Sequence, residues 1–166
     1  SVLWEMSLRG GLEYNEQDAE GTRLGFDDFY VAHVPTLVSS EPRSVFRIEH
    51  RGITIELFHT NHIPGEADTA RDAFITYGLL IDDRVFFSGD TKFDPELIAM
   101  YADRAEVMFH DASRTPNQVH AWIDDLRTVD ADVRSKMYLV HYQDDVTDVD
   151  AEGFAGLARQ GVRYIF

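Results

Sequence analysis

Cysteine is missing from all 166 residues, which removes disulfides, thiolate metal ligands and a cysteine nucleophile. Any metal chemistry then falls to histidine and carboxylate. Basic residues are scarce: 15 Lys and Arg stand against 30 Asp and Glu, a formal net charge of -15. Such a balance argues against broad, sequence-independent adhesion to nucleic acid or anionic lipid, because both depend on basic surface. A nucleic-acid partner is disfavoured on that ground. A small-molecule or phosphodiester ligand is not, since bound divalent ions invert the local field. A highly soluble or salt-tolerant surface explains the acidity equally well. No apolar run approaches the roughly 20 residues needed to span a bilayer, and no basic segment followed by an apolar stretch opens the chain. We therefore expect a soluble, cytoplasmic protein with no membrane partner, and homo-oligomerisation is left open.

The length and the 44% hydrophobic content suffice for one domain with a proper core. Residues 1–44 show the least regular pattern, with Arg9-Gly-Gly11, Gly21 and Gly25 punctuating an acidic segment. The start at Ser1, running directly into Val-Leu-Trp, leads to the expectation of a processed or truncated product. Alternation of apolar and polar residues in Val45–His50 and Thr54–His59, about Arg51-Gly52, predicts a half-buried hairpin. Phe74–Ile81 and Arg84–Phe87 flank Asp82-Asp83 as a second hairpin. Beyond Asp90 the pattern changes to helices alternating with strands. Asp94-Pro95 supplies an N-cap and an N1 proline ahead of Leu97, Ile98, Tyr101 and Ala102. Core spacing in 118–128 predicts a second helix, 150–160 a third, and Val162–Phe166 a closing strand.

Three strands end alike. Val85-Phe-Phe runs into Ser-Gly-Asp90-Thr, Val107-Met-Phe into His110-Asp111, and Met137-Tyr-Leu-Val into His141. Sites in open α/β sheets gather beyond the carboxyl ends of strands, so Asp90, His110 with Asp111, and His141 are candidate functional residues. Taken singly, Asp90 also reads as a turn aspartate and His141 as a satisfied core histidine, and His120 as a solvated helix residue before Trp122. Agreement among three strands is what favours a metal site.

Asn61-His-Ile-Pro64, Ser88-Gly-Asp-Thr91, His110-Asp-Ala-Ser113, Val119-His-Ala121 and Leu139-Val-His-Tyr142 follow one another in order. Together they resemble the later motifs of the metallo-β-lactamase superfamily, in the branch of the tRNA 3′-processing endonucleases and related phosphodiesterases. The resemblance covers about residues 45–145. It implies an α/β fold, the carboxyl-terminal half of an αββα sandwich with a mixed sheet and flanking helices. Residues 1–166 then form one partial domain, with 1–44 a connecting or lid segment and 45–166 the sheet-and-helix half. It also implies that His62, Asp90 and His141 bind two divalent metal ions, zinc foremost with iron or manganese as alternatives, Asp90 bridging the pair. Asp111 and His120 are implied as the catalytic pair assisting a leaving group, with Asp where the family has Glu. His59 is the rival of His62, and His110 a contact behind the metal ligands.

The family's first metal motif, His-x-His-x-Asp-His, is absent from the chain. The resemblance therefore implies a metal-dependent hydrolase of phosphodiesterase type when full length, this chain being an incomplete, inactive portion. The alternative is a noncatalytic binding or regulatory module.

Overall fold

The architecture follows from where the apolar periodicity is two residues and where it lengthens. The computed structural model describes residues 2–13 and 17–166. Ser1, on which the expectation of a processed chain rests, and residues 14–16 of the 1–44 segment lie outside the described residues. The chain divides into two units, Ser1–Val34 and Pro35–Phe166.

In the first unit a π-helical turn, Trp4–Leu8, continues into α1, Arg9–Leu12, and a further turn, α2, spans Phe26–Phe29. Asp28 accepts the Gly25 N–H at 2.7 Å and so closes the start of α2. Trp4 is buried, its ring edge-on to Phe26 at 6.1 Å and 6.0 Å from Phe29. Part of the segment expected to be irregular is thus helical, because Trp4, Phe26, Phe29 and Tyr30 supply a small aromatic cluster that spacing alone did not reveal.

The second unit is an eight-stranded mixed sheet in sequence order. Its strands are β1 Thr36–Ser39, β2 Val45–His50, β3 Ile53–His59, β4 Tyr77–Ile81, β5 Val85–Phe87, β6 Val107–Asp111, β7 Met137–Val140 and β8 Gly156–Leu157. Pairing is antiparallel from β1 to β5 and parallel from β5 to β8. Both expected hairpins are present. The change of sense comes where α3, Pro95–Ala102, is inserted between β5 and β6, since a parallel neighbour requires a crossover. Asp94 caps α3 by accepting the Leu97 N–H at 2.9 Å. Two short helices follow, α4 Ile123–Leu126 and α5 Ala131–Arg134.

One sheet face carries the core. Phe58, Leu80, Phe86, Met108 and Leu139 are buried there with Leu97, Ile98 and Tyr101 of α3 and Ile123 and Leu126 of α4. Phe58 stacks on Phe86 at 5.1 Å, and Tyr101 lies 4.6 Å from Phe58. The other face presents a row through six strands, in which Phe46, Leu57, Leu79, Phe87, Phe109 and Tyr138 stand opposite one another in turn. These side chains are only partly buried, and Phe87 is exposed. Tyr164 and Phe166 place rings against Phe109 at 5.4 and 6.1 Å.

Three expected elements differ. The second helix is confined to α4, because Ser113 donates its N–H to Ala121 O (2.6 Å) and accepts that of Ile123 (2.9 Å), replacing helical bonds with a crossing bridge. Residues 150–160 contain β8, not a helix: Ala155 and Ala158 donate to Met137 O and Leu139 O at 2.9 Å each. Residues 162–166 have no ladder partner among the described residues, and the Tyr164 ring packs on Tyr138 instead. Among the described residues no helix is long and apolar enough to cross a membrane.

Burial raises the Tyr101 hydroxyl to about 12, with the Glu56 charge adding to the effect. A raised folded value favours the protonated form, so this contribution is complete below the ordinary value of 10.0 and is lost as pH climbs through the folded one. Urea unfolding between pH 9 and about 12 should show Tyr101→Phe losing less stability on alkalinisation than the parent chain. Parallel profiles would show that the hydroxyl does not feel its burial.

Candidate metal centre

Strands β3, β5, β6 and β7 run in the same direction, so their carboxyl ends fall on one edge. His62, Asp90, Asp111 and His141 follow those four ends, and His120 comes from the connection between β6 and α4. All five residues singled out in the sequence are brought together.

Asp111 ends β6 with its side chain completely buried. One carboxylate oxygen, Oδ2, accepts the Thr91 N–H at 2.9 Å and lies 2.7 Å from His120 Nδ1. The other, Oδ1, has no hydrogen-bond partner. It faces His141 Nδ1 at 3.4 Å. That same nitrogen is 3.5 Å from Asp90 Oδ1, and Asp90 Oδ2 is 3.9 Å from His62 Nε2. The imidazoles of His62 and His120 lie 5.2 Å apart, those of His120 and His141 4.8 Å. One ligand atom from each of Asp111, His120 and His141 falls within 4.8 Å of the others.

Backbone geometry aims these groups. Gly89 has φ +61, and a Cβ there would meet Tyr77 O at 2.8 Å, so only glycine turns the chain between Ser88 and Asp90 without strain. His141 takes φ +58 immediately after β7. Ser88 Oγ accepts the Asp111 N–H at 2.8 Å, tying the two strand ends together. His62 Nδ1 is 2.8 Å from Val119 O; a carbonyl only accepts, so Nδ1 is the donor of that bond and Nε2 is the nitrogen turned toward Asp90.

The rival His59 is directed elsewhere, with Nε2 3.1 Å from Phe74 O. His110 points into the core beside Phe86, its Nδ1 bonded to Asp111 O at 2.8 Å and its Nε2 without a partner. Burial holds its pKa below the ordinary histidine range. It contributes packing behind the cluster, not a ligand. Thr91, Val119 and Asn117, whose Oδ1 accepts the N–H groups of Val119 and His120 at 2.9 and 3.3 Å, were not singled out in the sequence. Thr91 and Val119 carried a signal, as members of the Ser88–Thr91 and Val119–Ala121 motifs, and Asn117 carried none.

The donor set fits a divalent cation: carboxylate oxygens, imidazole nitrogens and a buried carboxylate oxygen left without a partner. No thiolate competes for a softer ion.

Comparison with known proteins places the chain in a family. The model of the family described as "Anti-Pycsar protein Apyc1" matches residues 1–164, and the chain belongs to that family. An anti-Pycsar protein Apyc1 of Paenibacillus harenae is 33% identical over 146 residues, 87% of this chain and 52% of the relative. That of Paenibacillus xerothermodurans is 32% identical over 168 residues, covering 99% and 60% respectively. That of Bacillus phage 010DV004 is 33% identical over 165 residues, covering 98% and 61%. The chain thus spans little more than half the length of these relatives.

These matches overturn the assignment to the tRNA 3′-processing branch of the metallo-β-lactamase superfamily. The family shown carries no indication of a metallo-β-lactamase hydrolase, so the reading as a metal-dependent phosphodiesterase falls with it. The noncatalytic-module alternative gains no support either. The reason is physical: four of the five motifs are strand-end signatures, which report that strands hand polar residues to one edge, an arrangement many families share. A match along nearly the whole chain is the stronger discriminator.

The turn at Gly89 yields a test. Gly89→Ala should destabilise the protein by about 1–3 kcal/mol through positive φ and the contact with Tyr77 O. A denaturation midpoint unchanged from the parent would contradict that geometry.

Proposed function

We propose that this chain is part of an anti-Pycsar protein whose action depends on a divalent cation held at the edge formed by His62, Asp90, Asp111 and His141. The family membership supplies the first part. The second rests on one observation above all: Asp111 Oδ1 is buried without a hydrogen-bond partner and faces His141, inside a ring of further donors. Leaving a buried carboxylate oxygen unmatched costs roughly 1–3 kcal/mol, and a cation removes that cost.

In this reading His62 and Asp90 offer Nε2 and a carboxylate, His141 an imidazole, and Asp111 its open oxygen. His120 is fixed by Asp111 and stands over the same opening, where its remaining nitrogen can hold or move a proton. A bound cation supplies a concentrated positive charge that draws an anionic group to a chain whose own charge is -15. The ligand class that fits is therefore a small anionic molecule, a phosphodiester among them. The donors on this chain serve one ion; a second would need donors from the additional length that the relatives possess.

The sheet is also read as one half of a two-sheet sandwich. The row from Phe46 to Tyr138 is the kind of apolar surface that a second sheet covers at about 10 Å. The greater length of the relatives is enough to supply one.

Titration of the 166-residue chain with Mn2+ or Zn2+ should show saturable binding, weakened at least ~10-fold, about 1.4 kcal/mol, by Asp90→Asn. In the longer protein the same substitution should abolish anti-Pycsar action. Retained action with the cation lost would overturn the cation's role. For the sandwich, the isolated chain should enhance 1-anilinonaphthalene-8-sulfonate fluorescence and the longer protein should not. Equal dye binding by both would count against a second sheet.

A further inference from the structure

Resting on the cation reading, the geometry points to Lys92 as the positioning residue of the site: it fastens the loop that carries His62 to the segment that carries Asp90. Lys92 donates its backbone N–H to Asn61 O at 2.8 Å. Its ammonium donates to Gly65 O at 2.7 Å and also to Ala67 O. The three bonds bracket His62 on both sides. Within the same stretch the backbone supplies few bonds of its own, among them Ala67 N–H to Pro64 O at 3.1 Å and Phe74 N–H to Ile63 O at 2.7 Å.

The arrangement answers a specific problem. His62 and Asp90 lie on segments separated in the sheet by β4, so no ladder bond sets their distance. Lys92 stands two residues after Asp90. The backbone that places the carboxylate is therefore also the backbone that holds the His62 loop, with His62 Nε2 3.9 Å from Asp90 Oδ2. On the far side Val119 O fixes the ring through Nδ1. Lys92 sets where the ring sits, and Val119 sets which nitrogen faces the cation.

The choice of residue supports this. The chain has two lysines, Lys92 and Lys136, its other basic residues being arginine. Both ammonium groups donate to two backbone carbonyls, Lys136 to those of Ala102 and Ala105. A compact head with three donors suits such a pair of carbonyls.

The test uses the intact chain in four measurements. Nitrogen-15 spectra of His62 in cation-free protein should show the Nδ1–H tautomer in the parent and a tautomer mixture in Lys92→Met. Zinc titration should show affinity ~10- to 100-fold weaker in Lys92→Met, with most of it restored in Lys92→Arg. Thermal unfolding of cation-free protein separates this from general destabilisation. Parent binding with Lys92→Met inside twofold of it, and His62 unchanged, overturns the inference. No zinc binding by the parent overturns the cation reading instead, and Lys92 is then judged on the cation-free tautomer alone. Should Lys92→Met fail to fold, the parent decides: with two lysines to assign, a Lys92 ammonium exchanging with water as fast as free lysine overturns the inference, and a protected one upholds it.

Discussion

A carboxylate with no exposed surface organises this protein. Asp111 ends the central parallel strand β6 at zero exposure, and burying a charge is tolerated only where neighbours compensate it. One oxygen is matched twice, by Thr91 N–H and by His120. Thr91 belongs to the turn after β5 and His120 to the connection after β6. The need to satisfy Oδ2 therefore draws two separate loops onto one strand end. The unmatched Oδ1 lies 3.4 Å from His141 Nδ1, and that nitrogen in turn lies 3.5 Å from the half-exposed Asp90 carboxylate. Structure and site share one residue: the interaction that stabilises the fold at this edge also creates the opening.

Much of this arrangement is legible in the sequence. Alternation located β2 to β5, and Asp94-Pro95 located α3, because these signals are local. Convergence of His62, Asp90, Asp111, His120 and His141 was legible too, since parallel strands end together and polar residues at those ends share an edge. What could not be read is carried by backbone groups. Val119 O orients His62, Asn117 captures two N–H groups, and the Ser113 bridge prevents a helix over 118–122. Carbonyls leave no trace in residue identity. The same blindness explains β8, where Gly153 and Gly156 take positive φ and the N–H groups of Ala155 and Ala158 reach β7. The family misreading had a related cause, for the strand-end signatures record this geometry and not descent.

The two sheet faces differ in how far their needs are met inside the chain. On one face Phe58, Phe86 and Tyr101 interlock with α3. Beside them buried Glu56 is gripped by both terminal nitrogens of Arg104, at 3.0 and 2.9 Å, and by Arg47 at 2.8 Å. On the other face, Tyr164 and Phe166 place their rings on the apolar row at its β6 and β7 end, and Tyr77 meets Phe46 edge-on at 5.9 Å. The remainder of the row, toward β2, carries Phe46, Leu57 and Leu79 with partial cover.

The direction of the strands explains why the site needs loops of unequal character. Strands β5, β6 and β7 are adjacent and parallel, so Asp90, Asp111 and His141 reach the edge as neighbours: Asp111 as the last residue of β6, His141 directly after β7 and Asp90 three residues after β5. Strand β3 points the same way but is separated from β5 by the antiparallel β4. His62 must cross the end of that intervening strand to join the others, and no ladder bond directs the crossing. The burden passes to side chains and carbonyls: Thr60 Oγ1 bonds Thr76 Oγ1 at 2.7 Å and Asp90 O at 3.2 Å, and Thr91 Oγ1 donates to Asn61 O at 3.2 Å. A site assembled from four parallel neighbours would need none of these. Here the mixed sheet makes the His62 loop the member whose position is set by tertiary hydrogen bonds alone, and so the one through which substitutions distant from the donor atoms would act on the site.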